Sequence, residues 1–219
     1  MARRFAFVTV WLWLWSATFP GIASAGIIDT SGAVLQIVPP SSVELDVLES
    51  NSQIFAYTEM LGLTLDYELA VDITSPGFYG EAGNLTPGSI GAKTVVDVYF
   101  IHFDPVVGLV NLLGSITFDQ DILGVIVLSD SLNATDGTLG FPPTAYPTGL
   151  INRGLDFGGV YSDFITLSKD LRTISINWQA TRKVDQIRII TAIPAPGALV
   201  LLGLAGLART TRRRRKQTA

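Results

Sequence analysis

The sequence predicts an all-β domain over residues 26–192, an antiparallel β-sandwich for which we consider the jelly-roll type. Short segments rich in Val, Ile, Thr and aromatic residues alternate with turns that contain Gly and Pro. Apolar and polar residues alternate strictly over residues 173–178, and no segment has the apolar spacing of an amphipathic helix of ten or more residues. A parallel β-helix is the architectural alternative, but we find no fixed repeat period.

Nine segments of the domain have the composition of strands, with turn residues between them. They cover residues 33–38, 53–59, 63–73, 94–103, 114–118, 122–128, 164–167, 173–180 and 184–191. In the strand at 173–178, Ile174, Ile176 and Trp178 share one face, which predicts a half-buried strand. Residues 43–48 also fit a strand better than a helix, and residues 181–183 are expected to join the last two strands as a hairpin.

Two long irregular stretches, residues 75–92 and 129–159, interrupt the strands, and long loops on a rigid scaffold commonly carry binding sites. In the second stretch, the oxygens of residues 130–137 have the chemistry of a Ca²⁺ site. Their spacing matches no Ca²⁺-loop template, and Asp, Asn and Gly are also ordinary turn residues. We therefore predict a solvated turn and no metal here.

Candidate catalytic residues are few, and none forms a recognisable motif. His102 is the single histidine, and Asp104 lies on the same strand face, where it is expected to be the hydrogen-bond partner of His102. Acidic residues that could form the carboxylate pair of a glycosidase are numerous, but no pair stands out. These are Asp66, Glu68, Asp72, Asp119 and Asp121. The sequence therefore predicts a protein that is not an enzyme and has no cofactor. Tyr79, Tyr146 and Tyr161 lie in or near the loops and have the chemistry to stack on sugars, but they are also ordinary turn-flanking residues, and we assign this role to none of them.

The N-terminal 25 residues have the parts of a secretory signal peptide. Two arginines precede an almost wholly apolar run at residues 5–15, and Ala23 and Ala25 are the small residues that a signal peptidase accepts. We expect a signal helix that is cleaved after Ala25. An uncleaved membrane helix is the alternative, but a Pro-Gly pair at residues 20–21 and the cleavage site argue against it.

The C-terminal segment, residues 193–219, has three parts. Pro194, Ala195 and Pro196 interrupt the chain, an apolar run follows at residues 197–208, and a basic cluster ends the sequence. The apolar run is shorter than the roughly 20 residues that cross a bilayer comfortably, so it predicts a short transmembrane helix. The residues assigned to this helix are Gly197, Leu199, Leu201, Leu202, Leu204 and Leu207, and the basic stop consists of Arg212, Arg213, Arg214, Arg215 and Lys216.

This order of parts resembles the PEP-CTERM sorting signal of exported Gram-negative proteins, and the resemblance covers the tail alone. It implies a membrane-anchored precursor, exported across the inner membrane, that an exosortase cleaves near the Pro-x-Pro motif for release to the cell surface or the extracellular matrix. Ala195 stands where the family name records a Glu. If this change prevents processing, the protein remains a tail-anchored periplasmic domain.

The charge distribution restricts the partners of the domain. Of the 15 basic residues, eight lie in the two terminal segments, so the domain keeps seven basic and 19 acidic residues and a net charge of about −12. Such a charge disfavours binding to nucleic acid. The chain contains no cysteine, which excludes disulfides and thiol chemistry.

Together these patterns predict an exported surface or matrix protein that is structural or associated with exopolysaccharide. The expected partners are signal peptidase, an exosortase, exopolysaccharide, and the membrane through the C-terminal helix. A carboxylate-dependent enzyme that acts on glycans remains the catalytic alternative.

Overall fold

The computed structural model describes residues 26–158 and 162–193. The described residues are mostly β-structure, which confirms the all-β prediction. The strands are β1 (Ile27–Gly32), β2 (Val34–Gln36), β3 (Ile54–Thr64), β4 (Leu69–Val71), β5 (Gly77–Tyr79), β6 (Gly88–Ile90), β7 (Val95–Phe103), β8 (Val110–Phe118), β9 (Ile122–Ile126), β10 (Phe164–Leu167), β11 (Thr173–Ala180) and β12 (Asp185–Ala192). A helix, α1 (Ser129–Leu139), follows β9, and a 3₁₀ turn covers Ala82–Asn84.

Most of the strands form two five-stranded sheets. Sheet I has the order β1-β8-β11-β10-β5, and sheet II has the order β2-β3-β7-β12-β9. Strands of each sheet pair in antiparallel fashion, apart from the short parallel pair β2 and β3. The strands β4 and β6 form a separate two-stranded sheet. The chain crosses between sheets I and II repeatedly, for example from β7 to β8, from β8 to β9 and from β11 to β12.

The main apolar core lies between the two sheets and draws residues from both. From sheet I, Ile174, Ile176 and Trp178 of β11 point inward, as their alternation predicts. From sheet II, Phe103 and Ile187 pack against the same cluster, and the Phe103 ring stacks on Trp178 with 6.5 Å between ring centroids. The buried apolar area of these strands is what holds the two sheets together.

A second apolar cluster covers the other face of sheet II. There Phe100 of β7 and Ile190 of β12 pack against Leu132 and Leu139 of α1 and against Val43 of the loop before β3. Sheet II is consequently buried on both faces, whereas residues 26–158 and 162–193 cover sheet I on its inner face only.

The structure corrects several local predictions. Residues 129–139 form the helix α1, although the sequence predicts an irregular stretch and a solvated turn there. Residues 43–48 form turns and no strand, and the segment predicted as one strand over 63–73 ends at Thr64 and resumes only as the short β4. The last two strands are not a hairpin, since β11 belongs to sheet I and β12 to sheet II.

The predicted signal segment (residues 1–25) and the predicted transmembrane segment of the tail lie outside the described residues. Within the described ranges, no helix is both long and apolar enough to cross a bilayer.

Candidate functional site

The outer face of sheet I is an exposed surface of hydroxyl and amide side chains, which we call the polar face. Because side chains alternate along each strand, the residues between the buried Ile174, Ile176 and Trp178 all point outward. The outward residues of the five strands are Asp29, Ser31, Asn111, Leu113, Ser115, Thr117, Thr173, Ser175, Asn177, Gln179, Phe164, Thr166 and Phe78. Only Asp29 among them carries a charge, on a domain that is otherwise strongly acidic.

The register of the strands aligns these side chains in rows. One row crosses all five strands through Ser31, Ser115, Ser175, Thr166 and Phe78. At a strand spacing of about 4.8 Å, the row is about 19 Å long. The hydroxyls of Ser31 and Ser115 are 2.8 Å apart and share a hydrogen bond. A hydroxyl both donates and accepts, so such a row can bind a partner that presents hydroxyl groups.

A pair of aromatic side chains lies at one edge of the polar face, on β5 and β10. The rings of Phe78 and Phe164 lie 5.3 Å apart between centroids, and Phe78 is 56% exposed. In the row that contains Phe164, Leu113 lies two strands away, beyond Asn177, and is 61% exposed. Flat apolar groups beside hydroxyls match the two kinds of surface that a sugar ring presents.

The outer face of sheet II differs from the polar face, because it carries charged side chains that are buried beneath α1. The Nε and Nη2 atoms of Arg188 donate to the two carboxylate oxygens of Glu59, at 2.6 and 2.9 Å, and Nη2 also donates to Asp136 at 3.2 Å. Arg188 and Glu59 are fully buried, and the guanidinium lies 5.1 Å from the centroid of the Phe100 ring. Burial alone would lower the pKa of Arg188, but the Glu59 and Asp136 carboxylates raise it above its usual range.

Arg153 completes this group of buried charges. Its guanidinium donates to Asp136 of α1 at 2.5 Å and to the side chain of Gln186 at 2.8 Å. Two arginines therefore meet two carboxylates, and the group is neutral as a whole. We call Glu59, Asp136, Arg153 and Arg188 the buried ion network. Since buried charges of this kind are tied to one another, the network fixes α1 on the sheet and offers no free group to a ligand.

His102 is part of the scaffold beside this network. Gln186 Nε2 lies 2.9 Å from His102 Nδ1, and His102 Nε2 lies 3.0 Å from the carbonyl of Leu48. Because an amide nitrogen can only donate, Nδ1 accepts and Nε2 carries the proton that it donates to Leu48. Burial lowers the pKa of His102 to about 4, so the ring is neutral. The predicted bond from His102 to Asp104 is wrong, because both ring nitrogens have other partners.

A pair of carboxyl groups lies between the two sheets, at the start of β12. Asp163 and Asp185 are both buried, and a hydrogen bond joins them. Burial, followed by the charges of Asp163 and Asp156, raises the pKa of Asp185 well above its usual value. Asp163 instead accepts from the backbone N–H groups of Asp156 and Gln179, at 2.9 and 2.8 Å. The pair therefore shares one proton, which Asp185 donates to Asp163.

The acidic residues that the sequence singled out are dispersed. Asp66 and Glu68 lie exposed in the turn between β3 and β4, and Asp121 forms an exposed ion pair with Arg172. Asp72 is buried, where it accepts from the N–H groups of Val127 and Leu128 and from Ser131, and so fixes the start of α1. Asp66 and Glu68 are therefore exposed to solvent, whereas Asp72 is not.

The tyrosines that the sequence offered to sugars have other roles in the described part. Tyr79 is buried, and the Tyr146 hydroxyl donates to Glu59 at 2.7 Å. Tyr161 lies outside the described residues, as do the predicted sorting residues Pro194, Ala195 and Pro196 and the basic stop. The exposed aromatic residue Phe78 was missed, although its place in a Gly-rich loop near a strand was visible in the sequence.

Comparison with known proteins adds no assignment. No protein-family model matches the chain, and neither the curated proteins nor the solved structures contain a match.

Proposed function

We propose that this chain is an exported protein of the cell surface or extracellular matrix, and that it associates with exopolysaccharide through the polar face of sheet I without catalysing a reaction. The proposal depends on one observation: the same chain has a three-part sorting tail in its sequence and an exposed, nearly uncharged sheet face in its domain. In this account the domain is an antiparallel β-sandwich, of jelly-roll type, between a cleaved signal peptide and a C-terminal sorting signal.

The tail supports delivery to the surface. Its Pro-Ala-Pro break, short apolar run and arginine cluster follow the order that a sorting protease of the exosortase type recognises, and the basic cluster would stay on the cytoplasmic side of the inner membrane. The chain would pass through a membrane-anchored precursor before its release. Signal peptidase and an exosortase are thus its expected processing partners.

The charge pattern supports a polysaccharide as the binding partner. A domain with a net charge of about −12 repels polyanions over most of its surface. The polar face is the large exception, since a single aspartate is its only charge and hydroxyl rows cover it. A neutral or weakly charged polysaccharide can exchange hydrogen bonds with these rows and stack on Phe78.

The carboxyl groups between the sheets do not favour the catalytic alternative. The two acids of a glycosidase stand about 5 to 9.5 Å apart and both reach the sugar. Asp163 and Asp185 are instead hydrogen-bonded to each other and fully buried. Two other acids, Asp130 and Asp156, line an open cleft of about 290 Å³.

Delivery is tested by intact mass spectrometry and cell fractionation of the protein from its host, with and without the exosortase gene. We expect the exosortase-positive strain to yield a surface or matrix form that has lost the residues after about Pro196. An intact basic tail in the inner membrane of both strains would contradict sorting and leave a tail-anchored periplasmic domain.

Binding is tested by co-sedimentation of the full chain, in detergent, with exopolysaccharide purified from the host. We expect Phe78→Ala to weaken binding about two- to tenfold, the range of one aromatic contact. Tyr67→Ala is the matched control, since Tyr67 is an aromatic residue of the same exposure, 55%, in the turn after β3. Equal losses in the two variants, or no binding by the unaltered chain, would contradict the assignment of the polar face.

A further inference from the structure

Three acidic residues converge where the loop between β2 and β3 meets the end of β7. Asp46 and Glu49 belong to the loop, and Asp104 follows β7 directly. One carboxylate oxygen of each residue lies within 4.8 Å of those of the other two. The sequence did not indicate this cluster, because the loop and Asp104 are more than 50 positions apart.

The carboxylate of Asp104 is only half satisfied. The side chain is fully buried, and its Oδ2 accepts the backbone N–H of Asp46 at 2.7 Å. Its Oδ1 is buried as well and has no hydrogen-bond partner among the described residues. The carboxylate that carries this unpartnered oxygen is the one that Asp104 contributes to the cluster. A buried carboxylate oxygen without a partner is costly, so it indicates a ligand that the protein atoms do not supply.

The loop is held in the conformation that brings its acids to Asp104. The Leu48 carbonyl accepts from His102, and the Ser50 N–H donates to the Asp104 carbonyl at 2.8 Å. Asp46 itself has a φ of 61°, the left-handed conformation, and few residues other than Gly, Asn and Asp adopt it readily. The cluster is therefore organised before any ligand binds.

The charges at the cluster favour a cation. Carboxylates of three acidic residues whose oxygens lie within 4.8 Å of one another repel each other when they are ionised. A divalent cation among the three carboxylates would remove this mutual repulsion and supply a partner for Oδ1.

We propose that Asp46, Glu49 and Asp104 bind one Ca²⁺ ion. Two oxygens that each lie about 2.4 Å from a single Ca²⁺ cannot be more than about 4.8 Å apart, and the cluster meets this limit. Three carboxylates provide up to six oxygens, and water reaches the exposed Asp46 and Glu49 to complete a shell of six to eight. Mg²⁺ fits less well, since it requires a smaller octahedral shell and keeps its own water. This proposal stands independently of the binding of polysaccharide.

The site is tested by isothermal titration of CaCl₂ into the full chain in detergent at pH 7.5. We expect one site with a Kd of roughly 10⁻⁴ to 10⁻³ M, the range of extracellular Ca²⁺ modules, and much weaker binding of MgCl₂. Asp104→Asn and Glu49→Gln should each weaken Ca²⁺ binding at least tenfold. Asp66→Asn is the control, since it removes one exposed acid elsewhere and should leave the Kd unchanged.

Thermal unfolding separates a Ca²⁺ site from a merely structural cluster. Without Ca²⁺, Asp104→Asn should melt no lower than the unaltered chain, because its amide can donate to the Glu49 and Asp46 carboxylates. Adding CaCl₂ should raise the Tm of the unaltered chain and leave that of Asp104→Asn unchanged. If Asp104→Asn fails to fold, the exposed variants Glu49→Gln and Asp46→Asn carry the test. Absence of Ca²⁺ binding, or binding that survives both Asp104→Asn and Glu49→Gln, would overturn the proposal.

Discussion

The polar residues on the outer face of sheet I are exposed or half-buried, whereas those on the outer face of sheet II are buried. On sheet I, hydroxyl side chains such as Ser31, Ser175 and Thr166 are exposed to water, and the face carries almost no charge. On sheet II, the corresponding face buries two arginines and two carboxylates under α1. One sheet therefore leaves its outer face available for contact, while the other uses its outer face to hold the remainder of the chain.

This difference shows that the polarity of a strand face does not by itself reveal exposure. Gln186 and Arg188 alternate with apolar residues in β12 as Ser175 and Asn177 do in β11, and both strands read as half-buried. Gln186 and Arg188 are nevertheless completely buried, because distant segments supply their partners. The pairing partner, rather than the alternation, decides which face a ligand can reach.

The largest effect is expected from breaking the buried ion network. Arg188→Met would leave Glu59 charged and buried without its bidentate partner, so we expect a loss of about 3–5 kcal/mol in the free energy of unfolding, measured by urea denaturation. Lys93→Met is the matched control, because Lys93 pairs with Asp66 in full exposure and should cost no more than about 1 kcal/mol. Similar small losses in both variants would show that the network does not hold α1 on sheet II.

An intermediate effect is expected where the two sheets meet, at Asp163 and Asp185. A carboxyl with a higher pKa in the folded than in the unfolded chain contributes stability at low pH, which is lost as the pH rises through the folded pKa. The pKa of Asp163 is raised to about 6, chiefly by burial, and burial also raises that of Asp185 well above its usual value. The amide of Asp185→Asn can still donate a hydrogen bond to Asp163, but it does not ionise. The Tm of this variant should equal that of the unaltered chain near pH 4 and exceed it by several degrees at pH 7.5.

The quantity to measure is the difference in Tm between Asp185→Asn and the unaltered chain at each pH. The Tm of one protein alone is not sufficient, because His102 changes stability with pH in the opposite direction. Its lowered pKa gives stability that is present above about pH 6.5 and lost as the pH falls through about 4. This contribution is common to both proteins and cancels in the difference. A constant difference across the pH range would contradict a shared proton between Asp163 and Asp185.

The smallest effect is expected from placing a charge on the polar face. Ser175→Lys adds a cation at the centre of the exposed row, where water solvates it, so the free energy of unfolding should change by no more than about 0.5 kcal/mol. Urea denaturation measures it. A loss above about 2 kcal/mol would mean that this face is covered, and the contrast between the two sheets would fail.

The strands were predictable from the sequence to the extent that local pattern determines them. The alternation over residues 173–178 places the inward and outward residues of β11 correctly. The helix α1 was not predictable in the same way, because its buried face consists of Leu132, Thr135, Asp136 and Leu139. Asp136 belongs on that face only because Arg153 and Arg188 bind it, and neither arginine is near it in sequence.

The sites depended even more on distant contacts. The polar face requires the register of five strands, and the register was unknown until the sheet order was known. The acids at Asp46, Glu49 and Asp104 were each visible as ordinary loop residues, and their convergence appears only in the folded chain. The sorting tail differs from these sites, because the order of its residues alone indicates it and no contact in the fold is needed. Processing of the tail stays a prediction.

The contrast between the two outer faces is tested most directly by hydroxyl-radical footprinting of the full chain, with and without exopolysaccharide from the host. Phe78 and Leu113 report on the polar face, and Tyr67 reports on the exposed turn after β3. We predict that the polysaccharide lowers the labelling of Phe78 and Leu113 and leaves that of Tyr67 unchanged. Protection of Tyr67 with unchanged labelling of Phe78 and Leu113 would contradict the account.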